Sequence, residues 1–240
     1  MLSLGEREAY NVLLAIESPL KLTSEEQKAC KTVDTFLRSR GEDPLTTVAG
    51  TIFPANHYMR HGAKGVYEKF PADFANVELK TWGTYAMRML RREGKGGQEM
   101  NPLKEMIEKM QKYRHLNRSA FELNVLTDDL GNTGDLPIYD FKRDHKRTLQ
   151  QPCLSHLTFK VTRNDCLRLT VFYRSHYYIT KALGNLLGLA QLQSFVADQI
   201  GLDVGPLVCH STHARIDCPL TPVKKLVAEV KAILPETRSN

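Results

Sequence analysis

The chain has 240 residues, carries 33 lysines and arginines against 27 aspartates and glutamates, and is 42% hydrophobic. This length suits one large domain or two small ones, with enough apolar material for a substantial core. We expect no membrane-spanning helix, because no run of about 18 apolar residues occurs. The N-terminus is charged within its first ten residues and lacks an uninterrupted apolar stretch. We therefore expect no secretory signal peptide and a cytoplasmic location.

Basic clusters account for part of the net charge of +6. A solvated surface is the ordinary explanation for such clusters, and a contact with phosphate, on a nucleotide or a nucleic acid, is the sharper one. Composition does not decide between them. The clusters are Arg88, Arg91 and Arg92, then Lys142, Arg143, Lys146 and Arg147, then Lys224 and Lys225.

The cysteines form no CxxC pair, and their odd number prevents complete pairing within one chain. No spacing of histidines and cysteines resembles a zinc site, so we expect no metal. We therefore expect the cysteines to be free thiols in a reducing compartment. Each then has a role either in packing or in chemistry. The five are Cys30, Cys153, Cys166, Cys209 and Cys218.

Elements in the first half of the chain alternate between helical and extended patterns. A capping-type start at Ser24 and apolar residues at helical spacing predict a helix to Arg40, ended by Gly41. The segment TTVAGTIFP predicts a strand stopped by Pro54. Another apolar stripe predicts a helix over Leu103–Tyr113.

The second half is richer in strand patterns. A very apolar segment, Ala182–Ile200, predicts a long helix buried on most sides and ended by Gly201. The turn-rich TDDLGNTGD and the basic DFKRDHKR predict exposed connections. The architecture we expect is α+β, a mainly antiparallel sheet packed against helices. The remaining predicted elements are strands over Ser119–Leu126, Leu154–Val161, Cys166–Ser175 and Val204–Ser211, and a last helix over Val223–Leu234.

Several polar residues in the second half are candidates for chemistry, each with a plainer alternative. Cys153 follows a proline at the head of a strand and is either a cleft residue or a small buried hydrophobe. Arg174 and Ser175 together suit a phosphate, although an arginine there commonly just reaches solvent. Asn185, in an apolar helix, is bound either to nearby backbone or to a ligand's polar edge. His213 caps a strand or serves a site.

The order and spacing of these residues resemble the thymidylate synthase and deoxycytidylate hydroxymethylase superfamily. The blocks that carry the resemblance are QQPCLSHLTF, LTVFYRSHYYITKALGNLLGLAQLQ and GLDVGPLVCHSTHARID. They match the family's Pro-Pro-Cys-His segment, its Arg-Ser pair leading to an Asn-bearing helix, and its acidic-x-His segment. The resemblance covers about 117–217, within a single domain over 1–240 whose N-terminal part, 1–116, is divergent.

The resemblance implies a role for each residue. Cys153 matches the nucleophile that adds to C6 of a pyrimidine and activates C5, and a nearby arginine favours its thiolate. Arg174 and Ser175 match the nucleotide phosphate site. Asn185 matches the residue that pairs with the O4/N3 edge, which favours a uridylate because cytidylate enzymes carry a carboxylate there. His213 matches a histidine of the nucleotide-binding and proton-handling network.

A homodimer that associates through the sheet and shares its active sites is also implied by the resemblance. Arg118 looks like one of the family's arginine pair that reaches the phosphate of the neighbouring subunit, with Arg114 as a substitute for the other.

The departures from the family pattern fall on the folate side. Tyr177 stands where the family has the aspartate that anchors the pterin, and Lys181 replaces a glycine. Arg215 replaces the tyrosine that holds the sugar hydroxyl. Glu68 and Glu78 are the candidates for a replacement of the family's catalytic glutamate, and solvent exposure is the simpler interpretation of both. The C-terminal ETRSN does not resemble the family's closing tail.

Three hypotheses follow for the function. The first is an enzyme that transfers a methyl or hydroxymethyl group to C5 of a uridylate-like nucleotide, with 5,10-methylenetetrahydrofolate as its expected cofactor. The second is an enzyme that binds the same nucleotide but does not use folate. Tyr177 and Lys181 then shape a pocket for another substrate. The third is a non-catalytic basic dimer that binds nucleotide or nucleic acid as a regulator. The resemblance favours the first, with nucleic acid as the less expected partner.

Overall fold

The computed structural model describes residues 5–74, 83–93, 97–113, 135–137 and 152–234. Its strands are β1 (Glu8–Ile16), β2 (Arg92–Glu93), β3 (Glu99–Met100), β4 (Asp135–Pro137), β5 (Leu154–Val161), β6 (Cys166–Tyr173), β7 (His176–Tyr177) and β8 (Asp203–Arg215). Its helices are α1 (Ser24–Ser39), α2 (Leu45–Gly50), α3 (Ala55–Lys64), α4 (Phe70–Phe74), α5 (Tyr85–Leu90), α6 (Pro102–Tyr113), α7 (Ala182–Ile200) and α8 (Leu220–Ile233). A π-helical turn, Gly65–Lys69, joins α3 to α4.

The main sheet has the strand order β1-β8-β6-β5-β4, with the short β7 also beside β8. Three of its pairs, β1–β8, β5–β6 and β4–β5, are antiparallel. The pairs β6–β8 and β7–β8 are parallel. The expected α+β class, a mainly antiparallel sheet against helices, is confirmed for the described part of the chain.

One hydrophobic core lies between the sheet and a layer of helices that includes α5, α6 and α7. Its largest fully buried side chains include Tyr173, Phe159 and Phe195. Alternation along the two strands explains this arrangement, because every second residue of β6, and of β5 from Leu157 onwards, is buried. The sheet therefore holds the ends of β5, β6 and β8 in fixed positions relative to α7.

The long helix α7 has the bounds that its apolar pattern predicts, and most of its residues are buried. Gly201 ends it in the left-handed conformation, with φ 66°. The buried Gln193 ties the helix to the sheet, because its amide nitrogen donates to the carbonyl oxygens of Leu167 (2.7 Å) and Gly205 (2.9 Å). These carbonyls lie where the β6–β8 register shifts.

The strand predicted for TTVAGTIFP is wrong, because this segment begins with the helix α2. Its β-branched residues favour a strand locally, but α2 packs directly on α7 at two glycines. A Cβ atom placed on Gly184 would lie 2.6 Å from the Cβ atom of Val48. One placed on Gly188 would lie 2.6 Å from the carbonyl oxygen of Ala49. Close backbone packing between two helices therefore overrides the local preference.

Other predicted elements agree with the structure to within a few residues. The helix α1 has a capping box, but its N-cap is Thr23, paired with Glu26, one residue before the predicted start at Ser24. The helix predicted over Leu103–Tyr113 and the strand over Leu154–Val161 are present as α6 and β5. The strand β8 extends beyond its predicted end at Ser211. No strand was predicted for β1.

Some of the features predicted from the sequence lie outside the described residues. These are the strand over Ser119–Leu126, nearly all of the turn TDDLGNTGD, the basic cluster from Lys142 to Arg147, and the C-terminal ETRSN. Among the described basic residues, Lys224 and Lys225 are exposed, as a solvated surface requires. Arg88 does not belong to a solvated surface, because it is only 4% exposed.

We expect Gly188→Ala to lower the free energy of unfolding by about 1–3 kcal/mol, because the added methyl group forces α2 and α7 apart. Gly50→Ala is the matched control, since nothing lies within 4 Å of a Cβ atom placed there. The control is expected to change stability by less than about 1 kcal/mol. Urea unfolding of both variants measures the difference, and equal stabilities would contradict the close contact.

Candidate active site

Cys153 and Arg174 meet at one end of the sheet, where β5 begins and β6 ends. The backbone N–H of Arg174 donates to the carbonyl oxygen of Cys153 over 3.0 Å, and its Nε donates to the carbonyl oxygen of Pro152 over 3.0 Å. The hydroxyl oxygen of Tyr85, on α5, accepts the backbone N–H groups of Cys153 (3.1 Å) and Leu154 (3.2 Å). The nucleophile candidate is thus fixed on both sides by hydrogen bonds.

Burial raises the pKa of the Cys153 thiol above its usual value of 9.0, and the guanidinium of Arg174 opposes this rise. Burial also raises the pKa of Tyr85 to about 12, and its interaction with Cys153 adds to the rise. Arg174 lowers the pKa of the thiol, as the resemblance implies, but desolvation contributes more to the pKa and raises it. The sulfur is therefore held mainly as a thiol at neutral pH.

Asn185 belongs to a buried polar network at the N-terminal end of α7. Its Nδ2 lies 3.1 Å from Nε2 of His176, whose Nδ1 lies 3.0 Å from the hydroxyl oxygen of Ser211. The Tyr178 hydroxyl donates to the same Ser211 oxygen over 3.4 Å. The exposed fractions are 5% for Asn185, 1% for His176 and 0% for Ser211. Asn185 is thus bound to a side chain rather than to nearby backbone.

Tyr173 joins the Cys153 region to the Asn185 network. Its ring stacks on that of His176, with centroids 3.9 Å apart and planes 4° from parallel. Its buried hydroxyl has no hydrogen-bond partner among the described residues. Burial raises its pKa well above 10, and interactions with Tyr85 and Cys153 contribute to the rise. The rings of Tyr173 and His176 together therefore connect the Cys153 region to the Asn185 amide.

His213 and Arg215 lie further along β8 and share a partner on β1. His213 Nε2 is 3.5 Å from one carboxylate oxygen of Glu8, and Arg215 Nε is 3.4 Å from the other. The His213 ring also stacks on that of Tyr10, with centroids 5.1 Å apart. His213 lies inside a strand and does not cap one.

Tyr177 and Lys181 lie on the segment between β6 and α7. Tyr177 is 44% exposed and is the register partner of Arg215 across the β7–β8 pair. The ammonium of Lys181 is 2.6 Å from a carboxylate oxygen of Asp43. Asp217 holds the intervening turn, accepting the backbone N–H of Ile179 over 3.0 Å and the hydroxyl of Thr180.

Comparisons with known proteins establish the fold first. The fold superposes on the crystal structure of thymidylate synthase from T4 phage with a TM-score of 0.51 and 15% sequence identity, covering 97% of this chain and 73% of that one. The chain has the thymidylate synthase fold.

Two curated proteins with similar sequences also have thymidylate synthase in their names. A Methanococcoides burtonii protein named "Putative thymidylate synthase" is 29% identical over 149 residues, 62% of this chain and 59% of that protein. A Methanothermobacter marburgensis protein of the same name is 38% identical over 65 residues, 27% of this chain and 29% of that protein. No protein-family profile matches the chain. Fold and relatives together support a thymidylate synthase-like superfamily member, so the resemblance seen in the sequence is confirmed at that level.

Two of the residues predicted for the site are brought together directly, and a third is linked to them. Cys153 and Arg174 are neighbours, and Asn185 connects to them through His176 and Tyr173. Ser175 is half-buried and follows Arg174 at the end of β6. The other described residues predicted for the site have different neighbours: Tyr177 pairs with Arg215, His213 lies beside Glu8, and Lys181 lies beside Asp43. Arg118, Arg114 and Glu78 lie outside the described residues.

Glu68 has the exposed position that the simpler interpretation predicts. Its carboxylate, on the π-helical turn, lies 3.8 Å from the ammonium of Lys64 at the end of α3, and both side chains are largely exposed. Within the ranges that the structure covers, no group of three or more His, Cys, Asp or Glu residues is placed to hold a metal ion. In the same ranges, no helix is long and apolar enough to cross a membrane. All five cysteines are free.

A polar cavity of about 230 Å³ lies apart from these residues. It is formed by α3, the π-helical turn and α4, and contains none of the residues predicted for the site. Within it, Nε2 of His57 is 2.9 Å from a carboxylate oxygen of Asp73. Its lining residues are Asn56, His57, Arg60, His61, Lys69 and Asp73.

Sequence reasoning missed Tyr85, His176 and Ser211. The signal for His176 was present, because it directly follows the Arg174–Ser175 pair and precedes an apolar helix. Tyr85 lies in TWGTYAMRML, far from Cys153 along the chain, and only the fold brings its hydroxyl to the start of β5. The sequence predicts that a strand ends at Ser211, whereas β8 continues past it to Arg215.

We expect Cys153 to react slowly with iodoacetamide at pH 7 and faster as the pH rises, with a midpoint above 9.0, because burial raises the thiol pKa. Arg174→Gln removes the opposing charge and should lower the rate at pH 8 by about 3- to 10-fold. Arg168→Gln, an exposed arginine on the same strand, is the control. Mass spectrometry of the Cys153 peptide gives the rates, and a wild-type midpoint below 8 would contradict the burial argument.

The neutral form of His176 should stabilise the fold above pH 6.5. Burial lowers its pKa from 6.5 to about 4, although nearby Asp217 favours the charged ring. The unfolded chain therefore takes up this proton first as the pH falls, and stability is lost between pH 6.5 and about 4. Between pH 7.5 and 4.5 this contribution amounts to about 2.5 kcal/mol.

Urea unfolding of the wild type, His176→Asn and the control His210→Asn measures this contribution. The wild type and the control should lose about 2.5 kcal/mol more than His176→Asn between these two pH values. An identical loss in all three proteins would show that His176 titrates normally in the folded protein.

Proposed function

We propose that the protein is an enzyme of thymidylate synthase type that acts at C5 of a uridylate-like nucleotide through a Cys153 adduct at C6. The observation that carries the proposal is the arrangement at the end of β5 and β6. There the Cys153 thiol lies beside Arg174 and is separated by one ring, Tyr173, from the buried Asn185–His176 pair. The fold and the curated relatives support the same enzyme class.

The chemistry follows from the properties of a pyrimidine. The Cys153 thiol loses its proton, and the sulfur forms a bond to C6 of the base. The electrons of the C5–C6 double bond move towards O4, so that C5 becomes nucleophilic. C5 then takes an electrophile or a solvent proton, loses its original hydrogen, and regains the double bond as the sulfur leaves. The cycle returns the thiolate unchanged.

The other residues of the site bind and orient the nucleotide. Arg174 and Ser175 bind the phosphate, since a guanidinium and a hydroxyl together supply several donors. Asn185 pairs with the O4/N3 edge of the base, because an amide offers both a donor and an acceptor. His213 belongs to the nucleotide-binding and proton-handling network with Glu8. Arg118 reaches the phosphate of the second subunit in a homodimer that associates through the sheet.

The described residues do not fit a folate cofactor in the way that the resemblance requires. The position of the pterin-anchoring aspartate is held by Tyr177, whose phenol carries no charge to replace the carboxylate. Lys181, where the family has a glycine, is engaged by Asp43 at 2.6 Å. Transfer of a methyl or hydroxymethyl group is therefore tested by supplying methylenetetrahydrofolate.

The same two residues favour an alternative, C5 chemistry on a pyrimidine nucleotide without folate. The exposed Tyr177 ring and the Lys181–Asp43 pair would then form a pocket for another substrate. The non-catalytic regulator has no support of this kind, since its basic cluster from Lys142 to Arg147 lies outside the described residues.

Release of tritium from C5-labelled deoxyuridylate tests the proposal. We expect release by the wild type, and a loss of at least about 100-fold in Cys153→Ser, because the serine hydroxyl is a much weaker nucleophile at C6. Cys166→Ser, at the opposite end of β6, is the matched control and should retain the wild-type rate.

Parallel reactions with and without methylenetetrahydrofolate distinguish the versions of the reaction. Release that requires folate, with formation of dihydrofolate, indicates methyl transfer, and folate-dependent turnover without dihydrofolate indicates hydroxymethyl transfer. Release that is independent of folate and needs Cys153 favours the alternative. No release from deoxyuridylate, uridylate or the cytidylates under either condition would exclude C5 chemistry.

A further inference from the structure

We propose that His176 is a positioning residue that holds the Asn185 amide in one orientation and so makes the site select uracil over cytosine. This inference rests on the proposed function, because it concerns how the same site distinguishes between two bases. It assigns a role to two side chains, His176 and Ser211, that the cysteine chemistry does not use.

The hydrogen bonds in the network have a defined direction. Nδ2 of Asn185 is only a donor, so Nε2 of His176, at 3.1 Å, must accept. The ring proton is then on Nδ1, which donates to the Ser211 hydroxyl oxygen at 3.0 Å. Ser211 in turn lies 4.0 Å from the sulfur of the buried Cys209. The tautomer of His176 therefore determines which end of the Asn185 amide faces it.

The imidazole has little freedom to adopt another arrangement. It is 1% exposed, stacks at 3.9 Å on Tyr173 and meets the ring of Tyr178 edge-on at 5.3 Å. Burial also lowers its pKa to about 4, so the ring is neutral at neutral pH and keeps one acceptor nitrogen. A protonated ring would present two donors and would require the Asn185 amide to turn its oxygen towards His176.

The fixed amide leaves a defined edge for a ligand. One Nδ2 hydrogen is used by His176, and no described residue hydrogen-bonds to Oδ1. Asn185 thus offers one acceptor and one remaining donor in fixed places. Uracil presents an N3–H donor beside the O4 acceptor, and cytosine presents an N3 acceptor beside an amino donor. An amide that turns freely satisfies either base, whereas a fixed amide matches one and opposes the other.

The wrong base would leave buried polar groups unpaired, and sites of this kind discriminate strongly. We therefore expect the wild type to bind deoxyuridylate about 100-fold more tightly than deoxycytidylate. Ser211→Ala removes the partner of Nδ1, so that the histidine proton can move to Nε2 and the amide can turn. This variant should reduce the preference to below about 10-fold, mainly through tighter binding of deoxycytidylate.

Isothermal titration calorimetry with both nucleotides measures the preference in the wild type and the variants. His176→Phe is a second variant, because it keeps the ring stacked on Tyr173 and removes both nitrogens, and it should show the same loss of preference. Ser194→Ala, a half-buried serine on α7 outside the network, is the control and should keep the wild-type preference. Equal weakening of both nucleotides in the Ser211 and His176 variants would overturn the inference.

Nitrogen NMR of the histidine rings supplies a test that needs no nucleotide. We expect His176 in the wild type to carry its proton on Nδ1, and a proton on Nε2 would overturn the inference, since the amide would then face the other way. A wild type that binds neither nucleotide overturns the proposed function and the selectivity with it. Intact binding with an unchanged preference in the variants overturns the inference alone.

Discussion

Close packing of α2 on α7 determines where the polar groups of the candidate site lie. Gly184 and Gly188 allow the two helices to meet at backbone distance, and Asn185 lies between these glycines on α7. Protein interiors are packed too tightly to absorb a displaced helix. The distance between Asn185 and His176 therefore depends on a contact whose other side, Val48 and Ala49, belongs to a helix far away in the sequence.

The interior of the site is neutral, and its charged groups lie around it. Asn185, His176 and Ser211 are buried without a formal charge, and the Cys153 sulfur is held mainly as a thiol. Burial of uncharged, hydrogen-bonded groups costs little, whereas an isolated buried charge would cost several kcal/mol. In the proposed reaction, the negative charge on sulfur and then on the base would develop only during turnover, close to the Arg174 guanidinium.

Periodicity in the sequence predicts the elements whose partners lie along one face. The apolar run of α7, the stripe of α6 and the alternation of β5 each match the structure, because burial on a single side determines the element. Periodicity does not predict the helix at the start of TTVAGTIFP, because that helix depends on the glycines of α7. The strand β1 is also not predicted, because none of its residues is fully buried and its partner, β8, lies near the other end of the chain.

The candidate site is predictable to a similar extent. Cys153, Arg174 and Asn185 follow from motif order, because each lies in a block with family spacing. Tyr85 and Ser211 do not, because hydrogen bonds between distant segments leave no local pattern. Arg88 illustrates the same limit, since a basic residue among other arginines indicates a surface, yet the fold buries it beside Tyr85, where its charge opposes the rise in the tyrosine pKa.

The left-handed conformation of Asn11 limits how this sheet can grow. Asn11 has φ 55° in the middle of β1, and its pairing with β8 is interrupted there although the register is the same on both sides. In the described residues β1 is an edge strand, and a long straight edge is a template for adding another strand. The left-handed residue interrupts the extended backbone of β1, so this edge is not a continuous template for a second strand. Amyloid-like extension from this edge is thereby disfavoured, which leaves the exposed faces of Tyr10 and Leu13 as surfaces for side-chain packing.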